Sequence, residues 1–218
     1  VDQSWFHQTE AQYDFTPHLN GWFQLIAGGN FRTFYPRSDG VIFVAVEDQN
    51  ALNIWETGGY MQVQRKLFND RLTLQASIRG DKSKKTDLLW SPRAAFTVNL
   101  GERRNHYFRG SWQRALRMPI LQAYYNAFDA SLYIDTGSDP IVNNTFGLTL
   151  EDGSPNVYTL QSVRAYQQSG NTNALIRPEA VETIEPERLQ SFEIGYRGKW
   201  FKRVSIDMSY YYNIYSNL

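Results

Sequence analysis

Val204-Ser-Ile-Asp-Met-Ser-Tyr-Tyr-Tyr-Asn-Ile214 is the stretch of sequence that decides the fold class. Its even positions are all apolar or aromatic, and its odd positions are mostly polar. This period of two predicts a β-strand with water on one face and an apolar medium on the other. The run is longer than most globular strands and matches the length of about 9–11 residues with which a tilted strand crosses a bilayer. The apolar medium is therefore either a protein core or lipid.

The same alternation recurs in seven further segments and is weakest in Asn53–Leu67. The seven segments are Ser4–Phe15, Gly21–Tyr35, Asn53–Leu67, Leu72–Gly80, Trp90–Leu100, His106–Arg117 and Leu189–Trp200. With Val204–Ile214 they make about eight strands, most of them near the ~10 residues that are typical of membrane barrels. The sequence therefore predicts an all-β, antiparallel, up-and-down barrel wall.

The predicted connections differ sharply in length. Those at 16–20, 68–71, 101–105 and 201–203 are short, the one at 81–89 is intermediate, and those at 36–52 and 118–188 are long. Short and long connections alternate along the chain, as they do in outer-membrane barrels with short periplasmic turns and long extracellular loops. A Greek-key sandwich has no reason to show this pattern. We therefore expect the two long loops on the extracellular side.

The same alternation places both ends of the chain. The first and last connections are short, so the first strand runs inward, the last runs outward, and both ends lie outside the cell. Complete bacterial barrels normally keep both termini in the periplasm, and the chain ends in Ser216-Asn-Leu218 without the usual closing aromatic residue. The expectation is a piece of a larger barrel.

Composition narrows the function classes. The 218 residues carry 22 basic and 22 acidic side chains, so a nucleic-acid surface is not indicated. Aromatic residues make up 15% of the chain while the mean hydropathy is −0.51, which suits a barrel with a polar lumen or a soluble all-β carbohydrate binder. The absence of cysteine excludes thiolate, disulfide and cysteine-nucleophile chemistry, and no apolar run is long enough for a transmembrane helix.

No motif indicates catalysis, a cofactor or a metal. His7, His18 and His106 are far apart in the sequence, and no nucleophile motif or phosphate loop is present. The carboxylates of the longest predicted loop lack the spacing of a calcium-binding loop, so a solvated acidic loop is the preferred interpretation. We expect no enzyme activity.

Arginines mark the polar faces of the predicted strands. They are Arg32, Arg79, Arg93, Arg109 and Arg117. A lipid-facing arginine would cost about 2–4 kcal/mol at the membrane midplane, so their consistent side supports the assignment of the faces. We expect these arginines to pair with lumen carboxylates such as Asp81 and Glu193, or with whatever fills the lumen. Direct contact with an anionic substrate is the functional alternative.

The segment His106–Tyr124 resembles the barrel signature of the TonB-dependent outer-membrane transporters. In that family, Arg-x-Ser-Tyr runs into Gly-Phe-Arg-x-Pro and then into a short helical turn that ends at Leu-Tyr. The matching positions are Arg109, Ser111, Trp112, Leu116, Arg117, Pro119, Leu121 and Tyr124. Ala115 stands where the family usually has glycine.

Three further segments match the same family. Ile184–Gly198 resembles its Pro-Glu-x-x-x-x-x-Glu-x-Gly segment, Trp90–Arg93 its Phe-Ser-Pro-Arg strand start, and Tyr60–Leu67 its Tyr-x-Gln segment. All occur in the family's order. The long connection between Tyr124 and Arg188 resembles that of the Bacteroidetes-type members.

The resemblance implies a barrel of about 22 strands with an N-terminal plug domain, of which this chain would carry neither the plug nor the TonB-contacting segment. It implies active uptake across the outer membrane of a Gram-negative bacterium, energised by the TonB–ExbB–ExbD complex. The cargo would be a scarce solute, namely a metal chelate, a glycan or a peptide. Outer-membrane lipid and a surface lipoprotein are the other implied partners.

The candidate lumen-facing or substrate-contacting residues are Arg79, Arg93, Arg109, Arg117, Tyr124, Tyr125 and Glu193. The two tyrosines could stack on a sugar or chelate, or pack the long loop against itself. Two other functions remain open. A passive porin-like channel would share the barrel wall, and a soluble all-β ligand-binding domain would pack the apolar face of Val204–Ile214 against a second sheet.

Overall fold

A computed structural model describes residues 3–38, 42–101, 105–129, 134–180, 184–201 and 203–217. The chain divides into two compact units. The sheet unit comprises residues 6–34, 54–118 and 186–218, and the loop unit comprises residues 1–5, 35–53 and 119–185. No helix among the described residues is long and apolar enough to cross a membrane.

Antiparallel strands form the sheet unit. In chain order, the strands of the protein are β1 Trp5–Asp14, β2 Gln24–Tyr35, β3 Ile54–Leu67, β4 Leu72–Ser83, β5 Leu89–Leu100, β6 His106–Arg117, β7 Ala127–Asp129, β8 Ile134–Thr136, β9 Glu187–Trp200 and β10 Val204–Ser216. Eight of them make one sheet in the order β1-β2-β3-β4-β5-β6-β9-β10. The predicted all-β, up-and-down architecture is confirmed, and the sheet is not closed on itself.

The register gives the sheet two chemically distinct faces. One row of directly paired residues, from β3 to β10, is Val63, Ala76, Ala94, Trp112, Phe192 and Tyr212. The adjacent row on the other face is Gln62, Ser77, Arg93, Gln113, Ser191 and Asn213. We call these the apolar face and the polar face. The period of two in each strand is thus in phase across six neighbouring strands.

One connection differs from the sequence prediction. The segment 81–89 was expected to be of intermediate length, but β4 continues to Ser83, which pairs with Glu56 of β3. Only residues 84–88 connect β4 to β5, as few as the five residues 101–105 that connect β5 to β6 at the opposite ends of the strands. Residues 15–23, which connect β1 to β2, make a longer link. Strict alternation of short and long connections is therefore wrong. The two long connections still differ clearly in length from all the others.

The turn between β3 and β4 has an unusual backbone. Phe68, Asn69 and Asp70 all have positive φ, at 55°, 54° and 63°. Asn and Asp adopt this left-handed region more readily than other non-glycine residues. The backbone N–H of Arg71 donates to the Phe68 carbonyl at 3.2 Å, and the Asn99 side-chain amide donates to the Asp70 carbonyl at 2.9 Å. The turn is thereby joined to β5 as well as to its own strands.

The loop unit contains the helices α1 Leu121–Tyr125, α2 Pro140–Thr145 and α3 Leu160–Ser169, and the small hairpin of β7 and β8. The short helix implied by the family resemblance is α1. The two long connections join here, because the Val44 N–H donates to the Tyr125 carbonyl and the Ala127 N–H donates to the Ile42 carbonyl, both at 3.0 Å. Val44, Tyr125 and Val142 are among the fully buried residues of this unit.

Candidate functional site

The first cluster on the polar face is centred on Arg79. Its Nε donates to Asp81 Oδ2 at 2.8 Å and its Nη2 donates to Asp81 Oδ1 at 2.6 Å, which is a bidentate ion pair. The same Nη2 donates to the side-chain oxygen of Asn30 at 2.7 Å. The guanidinium therefore bridges β4 and β2 across the intervening strand β3.

A glycine makes this bridge possible. Gly58 of β3 lies directly between its two register partners, Asn30 and Asp81. A Cβ atom at Gly58 would lie only 2.5 Å from Arg79 Nη2 and would overlap the Asp81 carboxylate as well. The Arg79 guanidinium and the Asp81 carboxylate therefore occupy the space that a side chain at Gly58 would need.

The Arg79 cluster forms one wall of a pocket of about 340 Å³. The pocket also includes Arg32, whose Nε lies 2.5 Å from Glu56 Oε2, and Arg117. Arg117 lies 3.4 Å from Glu187 in a largely exposed ion pair. Three arginines and Lys82 line the pocket together with two carboxylates, Glu56 and Asp81, which gives it a positive character suited to anionic groups.

The second cluster is centred on Arg109 and joins β6, β9 and β10. Its Nε donates to Glu193 Oε1 at 2.9 Å, and its Nη2 donates to Ser209 Oγ at 2.6 Å. Asp207 lies 3.9 Å from Arg109 and 3.4 Å from Arg197, so it links the two cations. The predicted pairing of polar-face arginines with Asp81 and Glu193 is confirmed.

Arg93 differs from its neighbours on the polar face. It is exposed, and within the described ranges it has no carboxylate partner. Its register neighbours are Ser77 on β4 and Gln113 on β6, both uncharged hydrogen-bonding residues. Arg93 is therefore a cation with free hydrogen-bonding capacity in a row of amides and hydroxyls.

The structure places the two candidate tyrosines inside the loop unit. Tyr124 is 4% exposed and Tyr125 is fully buried, and their ring centroids lie 6.2 Å apart. Burial raises the pKa of the Tyr125 hydroxyl above its usual range, and the nearby Asp139 carboxylate raises that pKa further. Of the two roles considered for these rings, the structure shows packing, while contact with a substrate stays a prediction.

Sequence reasoning did not single out Asn30, Glu56 or Gly58 as parts of a site. Asn30 and Glu56 were recognisable only as polar-face positions of their own strands. Their partners are on neighbouring strands, so the pairing depends on the register. The adjacent glycines Gly58-Gly59 were the available signal for a close approach in this strand.

The family model described as TonB dependent receptor-like, beta-barrel matches residues 2–218. A comparison with curated protein sequences found no match.

Solved structures share the fold at low sequence identity. The siderophore receptor PirA from Pseudomonas aeruginosa aligns with a TM-score of 0.52 and 16% identity over 97% of this chain and 32% of that one. The FrpB iron transporter from Neisseria meningitidis aligns with a TM-score of 0.52 and 17% identity over 96% and 28%. The Serratia marcescens hemophore receptor HasR, in complex with its hemophore HasA and heme, aligns with a TM-score of 0.51 and 12% identity over 99% and 33%. The chain spans about a third of the length of these proteins.

Proposed function

Since the chain belongs to the family of TonB-dependent receptor-like β-barrels, we propose that its sheet is part of the wall of an outer-membrane transporter energised by TonB. Barrels of this family are found in the outer membrane of Gram-negative bacteria. Active uptake needs a plug domain and a segment that contacts the TonB–ExbB–ExbD complex, and both would lie outside residues 1–218.

We infer that the connections at 15–23, 68–71, 101–105 and 201–203 face the periplasm, and that the two long connections and the short one at 84–88 face the cell exterior. In this orientation the polar face lines the lumen and the apolar face meets lipid. The ion-paired arginines support this side assignment, because each would be costly on a face that meets hydrocarbon. Exposed Trp22 and Trp200 lie at the strand ends placed here in the periplasm, and exposed Trp90 lies near the opposite ends, as in the two aromatic girdles of a membrane barrel.

The observation that carries the proposal is the arginine-rich polar face, with a positive pocket and the unpaired Arg93. It suits a solute with anionic or strongly polar groups, which includes metal chelates, glycans and peptides. The siderophore, iron and hemophore proteins among its structural neighbours favour a metal chelate among these.

The connection at 118–186 supports a finer assignment. We propose from its length, which resembles that of the Bacteroidetes-type members of the family, that the chain is of this type and that a surface lipoprotein is its partner. We infer that the loop unit takes part in substrate capture, alone or with such a lipoprotein.

Uptake by the full-length protein tests the proposal. The gene would be expressed in a Gram-negative host with and without TonB, and cells would be offered radiolabelled ferric siderophores, oligosaccharides and oligopeptides. We expect one of these classes to accumulate only when TonB is present. Equal accumulation without TonB would contradict active transport and indicate a passive channel.

Arg93→Gln tests the polar face within the same assay. Loss of a charge-assisted contact is expected to lower uptake about tenfold at limiting solute concentration. Arg203→Gln is the matched control, because it removes an exposed arginine from the short turn between β9 and β10. An equal loss in both variants, or in neither, would contradict a role for Arg93 in solute passage.

A further inference from the structure

A groove of about 720 Å³ opens on the apolar face and crosses six strands, from β3 to β10. Small residues form its floor, namely Ala76, Ala94 and Gly110. Exposed aromatic side chains, among them Phe192 and Tyr212, form its sides. In the membrane orientation proposed above, on which this inference rests, the groove is a depression in the face that meets lipid.

The floor is low because small residues follow one another across the strands. Ala76 and Ala94 are direct partners and lie between the larger Val63 and Trp112 in one cross-strand row. In the next row the Phe96 ring lies over Gly110, where a Cβ atom would come within 2.7 Å of Phe96 Cζ. The groove is therefore determined by residue size in a fixed register.

Arg65 lines one end of this groove. It is exposed, it lies two residues before the short-turn end of β3, and its guanidinium carbon lies 6.0 Å from the centre of the Trp22 ring. Within the described part of the chain it has no carboxylate partner. An arginine on the lipid face costs about 2–4 kcal/mol at the midplane but only about 0–1 kcal/mol near an interface. Its position therefore fits the periplasmic headgroup region.

The groove rises from Arg65 into the membrane. Arg65 is two residues from the short-turn end of β3, whereas Tyr210, at the far end of the same row, is six residues from the short-turn end of β10. The difference of four residues corresponds to about 13 Å along the strands. For strands tilted by about 35–45°, this distance is a rise of about 10 Å along the membrane normal, or roughly two thirds of one leaflet of a hydrocarbon core about 30 Å thick.

We propose that this groove binds one phospholipid of the periplasmic leaflet with an anionic headgroup. Arg65 donates to the phosphate oxygens, and an acyl chain lies along the Ala76–Ala94–Gly110 floor. An anionic headgroup is preferred because the Arg65 guanidinium has no carboxylate partner among the described residues. A zwitterionic headgroup would bring an ammonium group close to that cation.

Native mass spectrometry of the full-length protein tests the site. The protein would be incubated with phosphatidylglycerol or phosphatidylethanolamine of equal chain length and then released from detergent. We expect preferential retention of phosphatidylglycerol. Arg65→Gln should lower that retention about fivefold, and Arg65→Lys should preserve most of it.

Arg114→Gln is the matched control for the charge. Arg114 also lies on the apolar face with its guanidinium carbon 6.0 Å from a tryptophan ring, that of Trp112, but it is nearer the long-connection end of β6. Retention should be unchanged in this variant. Equal retention of the two lipids by the unaltered protein, or equal losses in the Arg65→Gln and Arg114→Gln variants, would overturn the proposal.

A second pair of variants tests the acyl chain. Ala94→Phe fills the floor while leaving Arg65 in place, and Ala27→Phe adds the same side chain on the apolar face of β2 outside the groove. Only Ala94→Phe should reduce retention of phosphatidylglycerol, and equal effects of the two would contradict binding in the groove. Lipid retention is measured without TonB or solute, so it stands or falls independently of uptake.

Discussion

At the scale of single residues, the polar face is organised by glycines whose missing side chains leave room for arginines. Gly58 leaves room for Arg79 and Asp81, and Gly195 leaves room for Arg109, whose Nε would lie 2.8 Å from a Cβ atom at that position. In the first case the guanidinium reaches across β3 to Asn30, and in the second it reaches across β9 to Ser209. The ion pairs of the polar face thus depend on residues that carry no charge.

Gly58→Ala is expected to lower the free energy of unfolding of the full-length protein by about 1–3 kcal/mol, because the added methyl group displaces the Arg79–Asp81 pair. Urea titration in lipid vesicles measures this. Gly59→Ala is the control, since its Cβ atom would meet nothing closer than the Gly28 carbonyl oxygen at 3.8 Å. A change within about 0.5 kcal/mol is expected there. Equal effects at the two positions would contradict the role assigned to Gly58.

The sequence predicted some of the site residues and not others, for a physical reason. The sequence predicted that polar-face arginines pair with carboxylates such as Asp81 and Glu193, because their charges lie on a common face, but it did not say which arginine pairs with which carboxylate. The role of Asn30 depends on a partner on another strand, and the burial of Tyr124 depends on a fold of the long connections that has no short-range period.

At the scale of elements, the period of two was sufficient to find all eight strands of the sheet. It underestimated β4, because Asp81-Lys82-Ser83 is polar enough to resemble a loop. Pairing with β3 extends the strand to Ser83 despite that composition. The helices α2 and α3 lie in the long connection, where neither strand alternation nor the family motifs apply, so they were not predicted.

The turn between β3 and β4 gives a prediction at this scale. Asn69→Val should lower the free energy of unfolding by about 1–2 kcal/mol, because a β-branched residue is strained at the φ of 54° that Asn69 adopts. Asn69→Gly, which adopts this φ without strain, should lower it less than Asn69→Val does. Urea titration of both variants in vesicles makes the comparison. Equal stability of the two would show that the turn does not keep this backbone conformation.

At the scale of the whole molecule, the two faces of the sheet connect fold and function. The polar face carries the arginine clusters and the unpaired Arg93, and the apolar face carries the groove with Arg65. Both the transport proposal and the lipid proposal require water on the first face and hydrocarbon on the second. Under these proposals, the single period of two per strand separates the solute path from the membrane contact.

The most direct test of this assignment is spin-label accessibility along residues 204–214 of β10 in the full-length protein, reconstituted in liposomes. Residues 1–218 contain no cysteine, so once any cysteine outside them is replaced, single cysteines can be placed at each position in turn. We expect labels at even positions, such as 208 and 210, to be relaxed by oxygen, which concentrates in hydrocarbon. Labels at odd positions, such as 207 and 209, should be relaxed by a water-soluble nickel chelate. The opposite phase, or even positions shielded from both reagents as in a protein core, would contradict the account.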